Sequence, residues 1–68
     1  MPKIVIRPAA NNINGVDIVA EDTINIKNGE IFVDGRFHSV MYGGCSLEII
    51  EGVESHNGIQ TEITIRKK

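Results

Sequence analysis

Apolar and polar residues alternate along much of the chain, and this period of two is typical of half-buried β-strands. The clearest segment is 23–27, where two isoleucines are separated by polar residues. Branched residues dominate, with 12 Ile and 6 Val against one Leu, and branched side chains fit a pleated surface better than a helix. The pattern predicts strands at 3–7, 16–20, 23–27, 30–34, 36–42, 46–50 and 59–66. Segments 8–12 and 52–58 are predicted to be loops.

Asn28-Gly29 lies between two alternating runs and predicts a β-hairpin, because both central residues of a type I′ turn need positive φ. A two-residue turn also fixes the register of the two strands. It sets Lys27 opposite Glu30, Ile26 opposite Ile31, Asn25 opposite Phe32 and Ile24 opposite Val33. One face then carries four branched apolar residues, and the other carries an opposed charge pair beside the turn.

Asp34-Gly35 predicts a second turn, for which two registers compete. A two-residue turn pairs Phe32 with Phe37 and places Arg36 on the apolar face of the hairpin. A three-residue loop pairs Ile31 with Phe37 and sends Arg36 to the opposite face. We expect the three-residue loop, because it avoids burying a guanidinium without a partner.

These elements predict an all-β fold, a small antiparallel barrel or sandwich of five to seven short strands with Asn-Gly and Asp-Gly hairpin turns. The whole chain, 1–68, is expected to form one domain, since its length leaves no room for a second. Ile49-Ile50 breaks the alternation of its strand, which indicates burial on both faces or at an interface.

Composition then narrows the class of protein. A chain of 68 residues with two Phe, one Tyr and no Trp has a small core, and its single cysteine cannot form an internal disulfide. We therefore expect a homo-oligomer.

The net charge is −2, the N-terminus lacks the pattern of a signal peptide, and no apolar run is long enough for a transmembrane helix. A cytoplasmic protein without membrane contact is expected.

The segment 36–45 gathers the residue types that most often form a binding site. Gly43-Gly44 would let backbone amides approach an anion, Arg36 would pair with it, and an aromatic ring would stack on a base. The alternative is a strand and a Gly-Gly turn without a ligand. The ligand-binding residues predicted on this basis are Arg36, Phe37, His38, Tyr42, Gly43 and Gly44.

Catalysis and metal binding are expected to be absent. His38, Cys45 and His56 are spaced unlike any common zinc site, and nothing in the sequence indicates an activated Cys45. No cofactor is expected. We expect no nucleic-acid partner, because the basic residues are few and the chain is acidic overall.

The function expected from the sequence is a small non-catalytic binding module. It would act as a homo-oligomer that inhibits or sequesters a protein partner or a small anionic ligand. The alternative is a structural segment of a phage or surface assembly, a trimeric β-helical or spike-like module. The segment 27–35 resembles the turns of β-rich phage and adhesin modules. In that alternative, isoleucine side chains would fill an axis between chains.

Overall fold

The computed structural model describes residues 1–8, 15–41, 44–56 and 62–68. They form eight short strands and no helix, so the predicted all-β class is confirmed. The strands are β1 Lys3–Arg7, β2 Val16–Val19, β3 Thr23–Lys27, β4 Glu30–Val33, β5 Arg36–Val40, β6 Ser46–Glu51, β7 Val53–His56 and β8 Glu62–Arg66. They build two antiparallel sheets, a three-stranded sheet in the order β2-β1-β6 and a five-stranded sheet in the order β5-β4-β3-β8-β7.

The eighth strand corrects the sequence-based prediction, which assigned 52–58 to a loop and counted five to seven strands. β7 pairs with β8 at the edge of the five-stranded sheet. All four of its side chains are exposed, so it has no buried face and no apolar alternation to reveal it. The predicted start of the last strand and the loop after Pro8 lie outside the described residues.

The first hairpin has the predicted register, from Lys27 opposite Glu30 to Ile24 opposite Val33. Asn28 and Gly29 have φ values of 52° and 79°, as a type I′ turn requires.

The second hairpin differs from the prediction. Asp34 and Gly35 have φ values of 52° and 83° and form a two-residue turn that pairs Val33 with Arg36. A β-bulge follows, since the register shifts between Ile31 and Phe32. The objection to this register was the cost of burying Arg36, but Arg36 is exposed, so that cost does not arise.

The doubled Ile49-Ile50 also marks a bulge. Lys3 pairs with Glu51 and Ile4 with Ile49, so Ile50 is the extra residue on β6. Its side chain is 48% exposed, so within one chain it is not buried on both faces. Of the two sequence-based explanations, only the interface stays a prediction.

Gly52 alone separates β6 from β7, and the chain bends there from one sheet into the other. β4 and β5 lie at the edge of the five-stranded sheet opposite to β7. These two strands, β4 and β5, are called the overhang below.

Isoleucines from both sheets fill the interior. The buried cluster consists of Ile4, Ile6, Ile18, Ala20, Ile24, Ile26, Ile31 and Ile65. Each fully buried Ile contributes about 1.5–3 kcal/mol through burial of its side chain. β5 contributes no residue to the cluster, so the outer strand of the overhang lies beyond the core.

Candidate functional site

An open depression of about 450 Å³ lies at the end of the overhang that carries the β4–β5 turn. Its lining residues are Glu21, Val33, Asp34, Arg36, Phe37 and His38. Three of the predicted site residues, Arg36, Phe37 and His38, are therefore on its wall.

Of the other three predicted residues, the structure describes only Gly44, which does not line the depression. Gly44 lies in the connection before β6, is exposed, and has a φ of 86°, a value that favours glycine. Tyr42 and Gly43 lie outside the described residues.

Asp34 fixes the base of the depression. Its carboxylate accepts backbone N–H bonds from Glu21, Asp22 and Thr23 at 2.9, 2.8 and 3.1 Å. These donors hold the pKa of the Asp34 carboxyl below its usual value, and the charge of Arg36 adds to the effect. The Asp34 N–H also donates to the Thr23 carbonyl at 2.8 Å. The β2–β3 connection and the β4–β5 turn are thus joined as one rigid wall.

The charges in the depression do not favour a free anion. Arg36 is exposed and forms no ion pair within the described ranges of the chain. Glu21 and Asp34 set two carboxylates against this one guanidinium. His38 is exposed and its Nδ1 lies 2.9 Å from the Ser39 hydroxyl. A small anion would therefore meet a net negative wall.

Aromatic and apolar side chains lie on the outer face of the overhang. The rings of Phe32 and Phe37 pack edge to face, with their centroids 5.9 Å apart at 77°. Phe37 is 58% exposed, and Val40 on the same strand is 42% exposed. Large apolar side chains in such positions are typical of surfaces that contact another molecule.

The groups considered for catalysis lie apart. His38 is on β5 and His56 on β7, the opposite edges of the five-stranded sheet. His56 pairs with Glu54 on its own strand, while Cys45 packs against the core cluster. Among the described residues, no group of three or more His, Cys, Asp or Glu side chains is placed to hold a metal ion.

Sequence reasoning missed Glu21 and Asp34, which line the depression. The Asp-Gly turn was recognised, but the contact of Asp34 with the β2–β3 connection is made in three dimensions and has no local signal.

In the described part of the chain no helix has the length and apolarity needed to cross a membrane. The chain matches no protein-family model, and no curated protein or solved structure is significantly similar to it.

Proposed function

We propose that this protein is a small non-catalytic binding module that sequesters or inhibits a protein partner through the overhang. The observation that carries the proposal is the open depression beside an exposed strand. There Arg36 and Phe37 are both exposed, and Asp34 makes the wall rigid without a ligand. Rigid sites lose little conformational entropy when they bind.

A protein partner fits this surface better than a small anion does. The depression carries charges of both signs next to an apolar ring, which is the usual composition of a protein interface. A free phosphate or nucleotide would gain the Arg36 contact but would approach Glu21 and Asp34 as well. The open shape of the depression also suits a surface contact more than an enclosed small molecule.

The structural alternative depended on isoleucines filling an axis between chains. Seven isoleucines instead belong to the buried cluster of a single chain, including Ile4, Ile24 and Ile65, which have no exposed surface. The placement of the isoleucines therefore does not favour a spike-like module, and we do not propose one.

Affinity capture with matched variants tests the proposed function. Wild-type protein, Phe37→Ser and Arg36→Ala would be immobilised and exposed to lysate of cells that express the chain. We expect a partner retained by wild type to be reduced at least tenfold by either variant, because hot spots concentrate in aromatic and arginine side chains. Arg66→Ala is the matched control, because it removes an exposed arginine from the same sheet outside the overhang.

A partner retained equally by all three variants would contradict the proposed site. Native mass spectrometry tests the small-anion alternative. A small adduct that wild type and Arg66→Ala carry reproducibly, and that Arg36→Ala lacks, would show that the ligand is a small anion and not a protein.

A further inference from the structure

We propose that two copies of this chain associate through the free edge of β7, in the one antiparallel register that sets Glu54 of each copy opposite His56 of the other. The two five-stranded sheets would then join into a single continuous sheet. β7 lies at the edge opposite to the overhang, so this interface goes beyond the proposed function and does not depend on it.

The charges of β7 set it apart from the other three edge strands. The ionisable side chains of β5 are all basic, and those of β2 and β6 are all acidic. β5 and β6 also carry bulges, which disfavour further pairing. β7 pairs with β8 in regular register and carries both an acid and a base, Glu54 and His56, two residues apart. An edge that pairs with its own copy needs such complementary groups on one strand.

Glu54 and His56 lie on the same face of the sheet and are held beside apolar neighbours. Their cross-strand partners are Ile65, which is buried, and Ile63, which packs against the core cluster. Within the described ranges, Glu54 and His56 make their one side-chain hydrogen bond to each other. A carboxylate has two oxygens and an imidazole two nitrogens, so each group can make a second hydrogen bond to another molecule.

Symmetry and charge together select one register. Antiparallel pairing of two identical edges needs a two-fold axis perpendicular to the sheet, and that axis sets one residue opposite its own copy. An axis at Glu54 opposes two carboxylates, and an axis at His56 opposes two imidazoles. An axis at Val53 sets neither group opposite its complement. Only an axis at Ser55 sets Glu54 opposite His56, and it does so twice. Opposed unlike charges stabilise a sheet and opposed like charges destabilise it.

The same charges disfavour any other strand on this edge. Charged side chains on an edge strand normally prevent strand addition, because an unrelated strand leaves them without complements. A second copy supplies both complements at the required spacing. It also meets apolar surface, since Val53 on the edge is 54% exposed and Ile50, just before the bend at Gly52, is 48% exposed.

Sedimentation equilibrium of the full chain at pH 6, where histidine side chains are mostly protonated, tests the register with Glu54→Lys and His56→Glu. Wild type should form a dimer. Each variant alone should associate about tenfold more weakly, because both opposed pairs become like-charged. An equimolar mixture of the two variants should recover the wild-type association constant, because the two changes together restore unlike charges at both pairs.

Glu30→Lys and Lys27→Glu are the matched control variants. They reverse the charges of an exposed, opposed pair in the same sheet away from β7. Each control variant alone, and their equimolar mixture, should associate as wild type does.

Three results would overturn the inference. They are a wild type that stays a single chain at every concentration, variants of β7 that each associate like wild type, and a mixture that stays monomeric. A second measurement needs no variant. Amide exchange across β7 in the ¹⁵N-labelled wild type should slow as protein concentration rises, while exchange in β5 stays constant. Unchanged exchange in β7, or slowing confined to another edge, would also overturn it. The capture experiment depends on Arg36 and Phe37 at the opposite edge, so the proposed function stands or falls separately.

Discussion

Asp34 is the residue whose chemistry most directly shapes the depression, and its role can be isolated by Asp34→Asn. Asparagine tolerates the positive φ of this turn position, so the variant removes the charge while the backbone conformation stays accessible. We expect a lower melting temperature at pH 7, because an amide oxygen is a weaker acceptor for the three N–H donors than a carboxylate. Thermal melts followed by circular dichroism measure the change.

The pH dependence follows from the lowered pKa of Asp34. A carboxyl whose pKa is lower in the folded state stabilises the fold above its unfolded pKa. That stabilisation is lost as pH falls through the folded pKa. The difference in melting temperature between wild type and Asp34→Asn should therefore be constant above about pH 5 and shrink below about pH 4. Asp17→Asn, which also removes an exposed carboxylate, is the control. A difference that grows on acidification would refute this role of Asp34.

At the scale of elements, the bend at Gly52 decides how the two sheets join. Its φ is 127°, and a Cβ there would lie 2.6 Å from Ile65 Cγ2 and 2.9 Å from the Arg66 carbonyl oxygen. Gly35 also has a positive φ, of 83°, but a Cβ there would meet nothing within 4 Å. We expect Gly35→Ala to cost about 1–2 kcal/mol of unfolding free energy from backbone strain alone.

Gly52→Ala should cost at least that strain, because a φ of 127° lies further from the left-handed helical region, and in addition about 1–3 kcal/mol for the steric overlap with Ile65 and Arg66. Urea unfolding of both variants gives the two free energies and their difference. Equal losses would mean that the bend at Gly52 relaxes freely, and that it does not hold β6 and β7 in different sheets.

The elements that could be predicted are those whose signal is local. The first hairpin follows from the alternation of 23–27 and the φ requirement of Asn28-Gly29, and its register was confirmed. The register of the second hairpin depended on whether Arg36 would be buried, and its exposure is a property of the tertiary structure that the local sequence does not display. β7 had no local signal at all, because an edge strand with four exposed side chains needs no apolar alternation.

At the scale of the molecule, the candidate site could be predicted only in part. Arg36, Phe37 and His38 were identified by composition, and they do share one wall of the depression. Glu21 reaches the same wall from the β2–β3 connection, a neighbourhood set by the order of strands in two sheets. Strand order follows from long-range pairing, which one sequence does not display.

The homo-oligomer expected from the sequence stays a prediction, and one exposed apolar patch is where we would test it. This corner patch consists of Met1, Ile50 and Val53, which are 64%, 48% and 54% exposed. These residues lie around the Gly52 bend, and the terminal ammonium of Met1 pairs with Glu51 at 2.9 Å. The corner patch is on the side of the molecule away from the overhang, so self-association there leaves the proposed partner site open.

We therefore expect sedimentation equilibrium to show a species larger than one chain, with a melting temperature that rises with protein concentration. Ile50→Thr should shift the population towards monomer, because it removes apolar surface at a bulge without disturbing the buried cluster. Val40→Thr, at an apolar position of similar exposure on the overhang, should leave the association constant unchanged. A constant mass of one chain over the whole concentration range would contradict the prediction of a homo-oligomer. The stability of the fold would then have to come from the single-chain core alone.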